Sequence, residues 1–150
     1  MTTRLRPPCR TRGVSAVYNT QSPATGDSAI EAEIQAKGLT APRVTPADIK
    51  ESISAEFYFT ADEGKNGAAA VEVWNAGEET FDAIDSLKLL TFCVLVLKNG
   101  FTVTGESACA SPENFDAELG RKIARENAVN KMWPLMGYAL KQKLSETKNG

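Results

Sequence analysis

The clearest hydrophobic pattern in the chain is a pair of β-rich runs in its second half, LLTFCVLVLKNGFTVTGESACA at residues 89–110. Asn99-Gly100 separates the runs and suits a two-residue hairpin turn, because both turn positions need a positive φ. A two-residue turn pairs Val96 with Val103, and alternation along the strands then fixes the two faces. The predicted core face carries Leu90, Phe92, Val94, Val96 and Val103.

The other face of this hairpin mixes apolar and polar residues, among them Thr91, Cys93, Leu95 and Leu97. We expect it to be partly solvated or covered by a second subunit, so the pattern favours a homodimer. The same register places Cys93 and Cys109 on opposite sides of the sheet, where they cannot form a disulfide.

Helical patterns precede the hairpin. A short helix is predicted around Ile30 and Ile34, ended by Gly38. In the next helix Thr45 can cap and Pro46 occupies the first position. Three apolar residues of that helix recur every four positions: Ile49, Ile53 and Phe57. The helix should end before Gly64. Residues 65–85 have no reliable period; AAAVEVW is a possible strand, and the following polar stretch is a loop or a weak helix.

A long helix follows the hairpin. Ser111 is the expected N-cap, with Pro112 first in the helix and Glu113 near the positive end of the dipole. Pro134 should kink this helix without ending it. One arc of the helix is apolar or small and should pack on the sheet: Phe115, Ala117, Leu119, Gly120, Ile123, Ala124, Ala128 and Trp133.

These elements predict an α+β fold, with N-terminal helices, a small antiparallel sheet built on the hairpin, and a long kinked C-terminal helix packed on the sheet. Residues 1–28 mix Pro, Gly, Ser, Thr and Arg without a period and are expected to form a flexible basic and polar tail. Residues 29–150 are then a single domain.

Polar residues at the start of the long helix are the candidate binding residues. Asp116 and Asn127 fall inside the apolar arc, where an unpaired polar group would cost about 1–3 kcal/mol, so both should have partners. The partner is either a backbone group at the hairpin end or a small polar pocket. Arg121 and Arg125 have the alternative of a solvated face. The full set of ligand or partner candidates is Glu106, Ser107, Asn114, Asp116, Arg121, Arg125 and Asn127.

The composition excludes several kinds of catalytic and metal-binding site. The chain has no histidine, which excludes a Ser-His-Asp or Cys-His arrangement and a histidine metal site. It has neither the GxxxxGK[ST] phosphate loop nor GxGxxG. We therefore expect no catalytic residue, no metal and no cofactor. The weaker alternative is a small nucleotide-acting enzyme that works through Glu106 or Asp116.

Charge and cysteine content bear on partners and location. The net charge is −2, although four arginines lie in the first twelve residues, so the rest of the chain is acidic. We therefore expect no nucleic-acid partner, unless the basic tail binds one. Three cysteines without metal-ligand spacing fit reduced thiols. The start lacks the apolar stretch of a signal peptide, and the longest apolar run, residues 89–97, is too short for a membrane span. A cytoplasmic protein without membrane contact is expected.

The strings NGFTVTGESACASPENFD and ENAVNKMWPLMGY resemble a family of small tailed-phage and prophage proteins named for phage gene products forty-nine and sixty-six. The resemblance covers residues 30–60 and 87–144. It implies a phage or prophage origin and an intracellular accessory role outside the virion, and it supplies no enzymatic activity. The leading hypothesis is thus a non-enzymatic protein that binds a host protein or a small polar ligand, in host modulation or counter-defence. The alternative is a nucleic-acid-associated regulator that uses the tail.

Overall fold

The computed structural model describes residues 24–68 and 81–148. Its helices are α1 (Ala24–Ala36), α2 (Pro46–Ser52), α3 (Ala61–Gly67), α4 (Phe81–Lys88) and α5 (Ala117–Glu146), with a 3₁₀ turn at Pro112–Asn114. Its strands are β1 (Ile53–Thr60), β2 (Leu90–Leu97) and β3 (Thr102–Ala108), which form one antiparallel sheet in the order β1-β2-β3. The long helix α5 packs on β3 and β2, so the predicted α+β architecture is confirmed.

The hairpin turns where the sequence predicts, but its register is one residue away from the prediction. The loop has three residues, Lys98 to Gly100, and the N–H of Leu97 donates to the carbonyl of Phe101 at 2.8 Å. Gly100 has a φ of 84°, the left-handed conformation that glycine adopts without strain in such loops. Leu95 therefore pairs with Val103, where the two-residue turn had paired Val96 with it.

This shift exchanges the two faces of β2. The residues buried beneath α5 are Thr91, Cys93 and Leu95 of β2, while Phe92, Val94 and Val96 lie on the opposite face and are only half-buried. The predicted core face of β2 was wrong, because a slip of one residue moves every side chain to the other side of a sheet. No disulfide joins Cys93 to Cys109, as expected. The predicted placement of the two residues on opposite sides of the sheet, however, rested on the wrong register.

Strand β1 occupies residues that the four-residue recurrence assigned to a helix. Helix α2 begins as predicted, with Thr45 and Asp48 forming a capping box and Pro46 in the first turn, but it ends at Ser52. From Ile53 the chain is extended and pairs with β2, for example Tyr58 with Cys93. The segment ISAEFYFT is rich in β-branched and aromatic residues, and pairing with β2 outweighs its helical period.

Helix α5 lies unusually close to the sheet. Its buried residues are Gly120, Ala124, Ala128 and Met132, which includes three of the small residues of the predicted arc. On the sheet side, a Cβ added at Gly105 would lie 2.1 Å from the carbonyl oxygen of Ala124. The absence of a side chain at Gly105 therefore lets the backbones of β3 and α5 approach. The helix continues through Pro134, as expected.

The start of α5 differs from the prediction. Pro112–Asn114 is a separate 3₁₀ turn, in which the side chain of Ser111 makes no capping bond. Asp116 is the N-cap, with its carboxylate accepting from the N–H of Leu119 at 2.8 Å. An aspartate satisfies a helix N-terminus better than a serine whose hydroxyl is already engaged, here by Asn114.

At the N-terminal end, α1 begins at Ala24, so residues 24–28, which the sequence assigned to the tail, are helical. Asp27 lies in its first turn, where a negative charge favours the helix. Gly38, with a φ of 64°, follows the helix as expected. The remaining tail, Cys9 and most of the possible strand AAAVEVW lie outside the described residues.

Candidate functional site

The structure divides the candidate residues among four places. Asn114 and Asp116 stand at the exposed start of α5, where they bond to Ser111 and Leu119 respectively. Asp116 thus has a partner, but neither of the two that the sequence predicts: it is exposed, and it accepts from a backbone N–H of its own helix. Its carboxylate completes the first turn of α5.

Asn127 bonds to the neighbouring strand. Its Nδ2 donates to the backbone carbonyl of Glu106 at 2.8 Å, which confirms the expected contact with the hairpin end. The Glu106 carboxylate pairs with Lys131 of α5 at 3.3 Å in an exposed position. Ser107 is buried, only 8% exposed, on the sheet face beneath α5. These contacts fasten β3 to α5.

Arg125 reaches over the sheet to β1. Its Nε donates to both oxygens of Glu56 at 3.1 and 3.0 Å, and its Nη2 donates to Oε1 at 2.8 Å. The hydroxyl of Tyr58 donates to Oε2 of Glu56 at 2.5 Å. One carboxylate therefore accepts from two side chains at once, in a half-buried position where a bidentate pair is stronger than at the surface.

The ionisation of this cluster follows from those contacts. The hydrogen bonds from Arg125 and Tyr58 hold the pKa of Glu56 below its usual value, despite an opposing effect of burial. Burial and the neighbouring Glu56 carboxylate raise the pKa of Tyr58. Burial also raises the pKa of the Cys93 thiol, which is fully enclosed beneath α5. At neutral pH the cluster is therefore an ion pair beside a neutral phenol and a neutral thiol.

Arg121 is exposed, one turn before Arg125 on α5. The candidate residues thus do not converge on one pocket, and their role in binding stays a prediction. Glu56 and Tyr58 were missed, because their segment was assigned to a helix. The signal that could have found them is the alternation of Glu56 and Tyr58 with Phe57 and Phe59, which is typical of a strand. Residues two positions apart in a strand lie on the same face of the sheet.

The sheet presents a second candidate surface on the side opposite α5. We call it the open sheet face; it consists of Phe57, Phe59, Phe92, Val94 and Val96. The side chain of Phe57 is 57% exposed and that of Phe59 is 36% exposed. The rings of Phe59 and Phe92 stack with centroids 5.6 Å apart. Neither β1 nor β2 places a charged residue on this face, but β3 places Glu106 beside Phe92 on the same side of the sheet. Gly64 of α3 lies against the ring of Phe59, so the exposed apolar part of the face is centred on Phe57.

Within residues 24–68 and 81–148, His, Cys, Asp and Glu side chains form no group of three that could hold a metal ion. A helix that could cross a membrane is likewise not found in that part of the chain.

The comparison with protein families identifies a phage protein. Residues 44–144 match the model of the Phage protein (N4 Gp49/phage Sf6 gene 66) family, and the chain belongs to that family. The match confirms the resemblance carried by the hairpin and the long helix. No curated protein and no solved structure matches the chain.

Proposed function

We propose that the chain is a non-enzymatic accessory protein that a phage or prophage makes in the host cytoplasm, where it binds a host protein or a small polar ligand. Its membership of a phage protein family supports the setting. The lack of a disulfide between Cys93 and Cys109 fits a reducing compartment. The Glu56 cluster, whose ionised carboxylate is fully engaged by donors, supports action by association and not by chemistry.

We further propose that the working form is a homodimer in which two open sheet faces pack together. The exposure of Phe57 among the apolar side chains that β1 and β2 place on this face carries this proposal, with Glu106 of β3 at the margin. A partner surface that brought charges against this face would leave them buried without a counterion, which is costly. The same face of a second copy brings apolar side chains instead, and a two-fold axis makes it complementary to itself.

The size of the face sets the expected strength of the dimer. Strands of 8, 8 and 7 residues give a sheet about 26 Å long and about 14 Å wide. That area is below the roughly 800 Å² per partner of a standard interface. A dimer that dissociates in the micromolar range is therefore expected, with two sheets stacked about 10 Å apart.

Light scattering coupled to size exclusion, run over a range of concentrations, tests this assembly. The wild-type chain should change from monomer to dimer as concentration rises. Phe57→Asp places a charge within the proposed interface and should remain monomeric with an unchanged circular dichroism spectrum. Phe101→Asp is the matched control, because Phe101 is 54% exposed in the hairpin loop and lies outside the open sheet face; this variant should still dimerise.

A wild-type chain that stays monomeric up to about 1 mM would overturn the dimer, since such weak association is of no use at cellular concentrations. The face would then bind a partner other than a second copy of the chain. Equal dimerisation of the Phe57→Asp variant would place the interface elsewhere.

A further inference from the structure

The groove between α1, the start of α2 and the middle of α5 contains two adjoining cavities of about 200 Å³ each. Three residues line both cavities, where the two meet: Asp27, Pro46 and Trp133. The groove lies on the α5 side of the sheet, opposite the open sheet face. Occupation of the groove therefore does not require the dimer.

The first cavity is suited to an anionic group. Lys50 and Arg125 line it, with apolar walls from Ile49 and Val129. Glu56 engages the Nε and Nη2 atoms of Arg125, so the guanidinium is fixed in place while the hydrogens on Nη1 remain for a ligand. Lys50 is exposed and makes no ion pair within the described residues, so its charge is also available.

The second cavity is suited to a flat ring. Ile30, Ile34 and Val44 line it together with Trp133. Two acidic residues line it: Glu31 is already paired with Arg43 through Oε1 and Nη2 at 2.5 Å, and Asp27 lies where this cavity meets the first one. Because the charge of Glu31 is neutralised, the cavity offers an aromatic and aliphatic surface on which a planar ring can stack.

Asp27 stands between the two cavities and makes no ion pair within the described residues. A carboxylate is an acceptor for hydroxyl groups, as in proteins that bind ribose through Asp or Glu. Along the groove, the ring surface at Trp133 is thus followed by the hydroxyl acceptor Asp27 and then by two cationic donors, Lys50 and Arg125. We propose that this groove binds a nucleoside monophosphate, with its base on Trp133, its sugar hydroxyls on Asp27 and its phosphate on Lys50 and Arg125.

Isothermal titration of the full-length chain with the four common ribonucleoside monophosphates tests this proposal. At least one should bind, and the corresponding nucleoside and ribose 5-phosphate should each bind at least about tenfold more weakly, because each lacks one of the two anchoring groups. Lys50→Gln should weaken nucleotide binding about tenfold, since it removes one charge-assisted hydrogen bond. Lys98→Gln is the matched control; Lys98 is also exposed and lines a different cavity of about 370 Å³. This variant should bind as the wild type does.

Absence of binding to all four nucleotides at about 1 mM would overturn the proposal. Equal affinity for ribose 5-phosphate would show that the second cavity does not hold the base, and would also overturn it. An unchanged affinity of the Lys50→Gln variant would place the phosphate elsewhere. None of these results depends on whether Phe57→Asp abolishes the dimer, so the two proposals fail independently.

Discussion

Replacement of Gly105 by alanine tests the close contact between α5 and the sheet. The new Cβ would lie 2.1 Å from the carbonyl oxygen of Ala124, and 2.3 and 2.9 Å from N and Cα of Ala128. All three atoms belong to the backbone, so no side chain can rotate away. Since heavy atoms pack at about 3.5 Å, helix and strand must separate by about 1 Å over a close-packed interface.

The magnitude follows from two opposing effects. Alanine in a strand gains roughly 0.5–1 kcal/mol over glycine through chain entropy. Overpacking of a well-packed core costs about 1–3 kcal/mol, and this contact lies at the severe end because only backbone can move. We expect Gly105→Ala to lower the free energy of unfolding by at least about 2 kcal/mol, which corresponds to a fall in Tm of about 5–8 °C.

Urea and thermal unfolding, followed by circular dichroism, measure this change. Two other glycines serve as graded controls. At Gly120 the added Cβ meets only the side chain of Thr91, with Oγ1 at 3.0 Å and Cβ at 3.6 Å, so the loss should be smaller. At Gly137, inside α5, it meets nothing within 4 Å, and Gly137→Ala should stabilise the protein by about 0.5–1 kcal/mol. A Gly105→Ala variant as stable as the wild type would refute the packing of α5 on β3.

The ion pair, the buried thiol and the helix cap provide three more tests. Arg125 holds the pKa of Glu56 below its usual 4.5, so the pair stabilises the folded state above that pH and the contribution is lost as pH falls. Glu56→Gln should therefore lower the free energy of unfolding by about 1 kcal/mol at pH 7, and urea titrations should show the difference shrinking below pH 4.5; a constant difference would contradict the pair. Cys93 should resist iodoacetamide in the folded protein and react in urea, as peptide mass mapping can show; labelling in the native state would contradict its burial. Asp116→Ala should lower the free energy of unfolding by about 1 kcal/mol, while Asp116→Asn should retain most of the stability; an equal loss in both would contradict the cap to Leu119.

The sequence predicts the position of the hairpin but not its register. Asn99-Gly100 fits a two-residue loop and equally the end of a three-residue loop, and the two differ by one residue. Alternation cannot decide between them, because β2 is apolar on both faces. Leu95 and Val94 are both acceptable core residues by composition; only packing against α5 selects Leu95.

Local chemistry was more informative where a single residue determines the geometry. The N-cap at Thr45 and the stop at Gly38 were predicted, because each depends on a side chain or a φ angle at that position. The contact of Asn127 with the hairpin end was also predicted, from its place in an apolar arc. The pairing of Arg125 with Glu56 was not, because the residues are 69 positions apart and Glu56 had been assigned to a helix.

Native mass spectrometry of the chain recovered gently from infected cells tests the central claim most directly, because it measures subunit number and bound mass together. Association through the open sheet face and the groove predicts a complex of twice the 16.2 kDa chain mass, with an added mass of about 350 Da per subunit for a nucleotide. Lys50→Gln should lose the added mass and keep the dimer, whereas Phe57→Asp should do the reverse. A monomer without added mass would contradict the account.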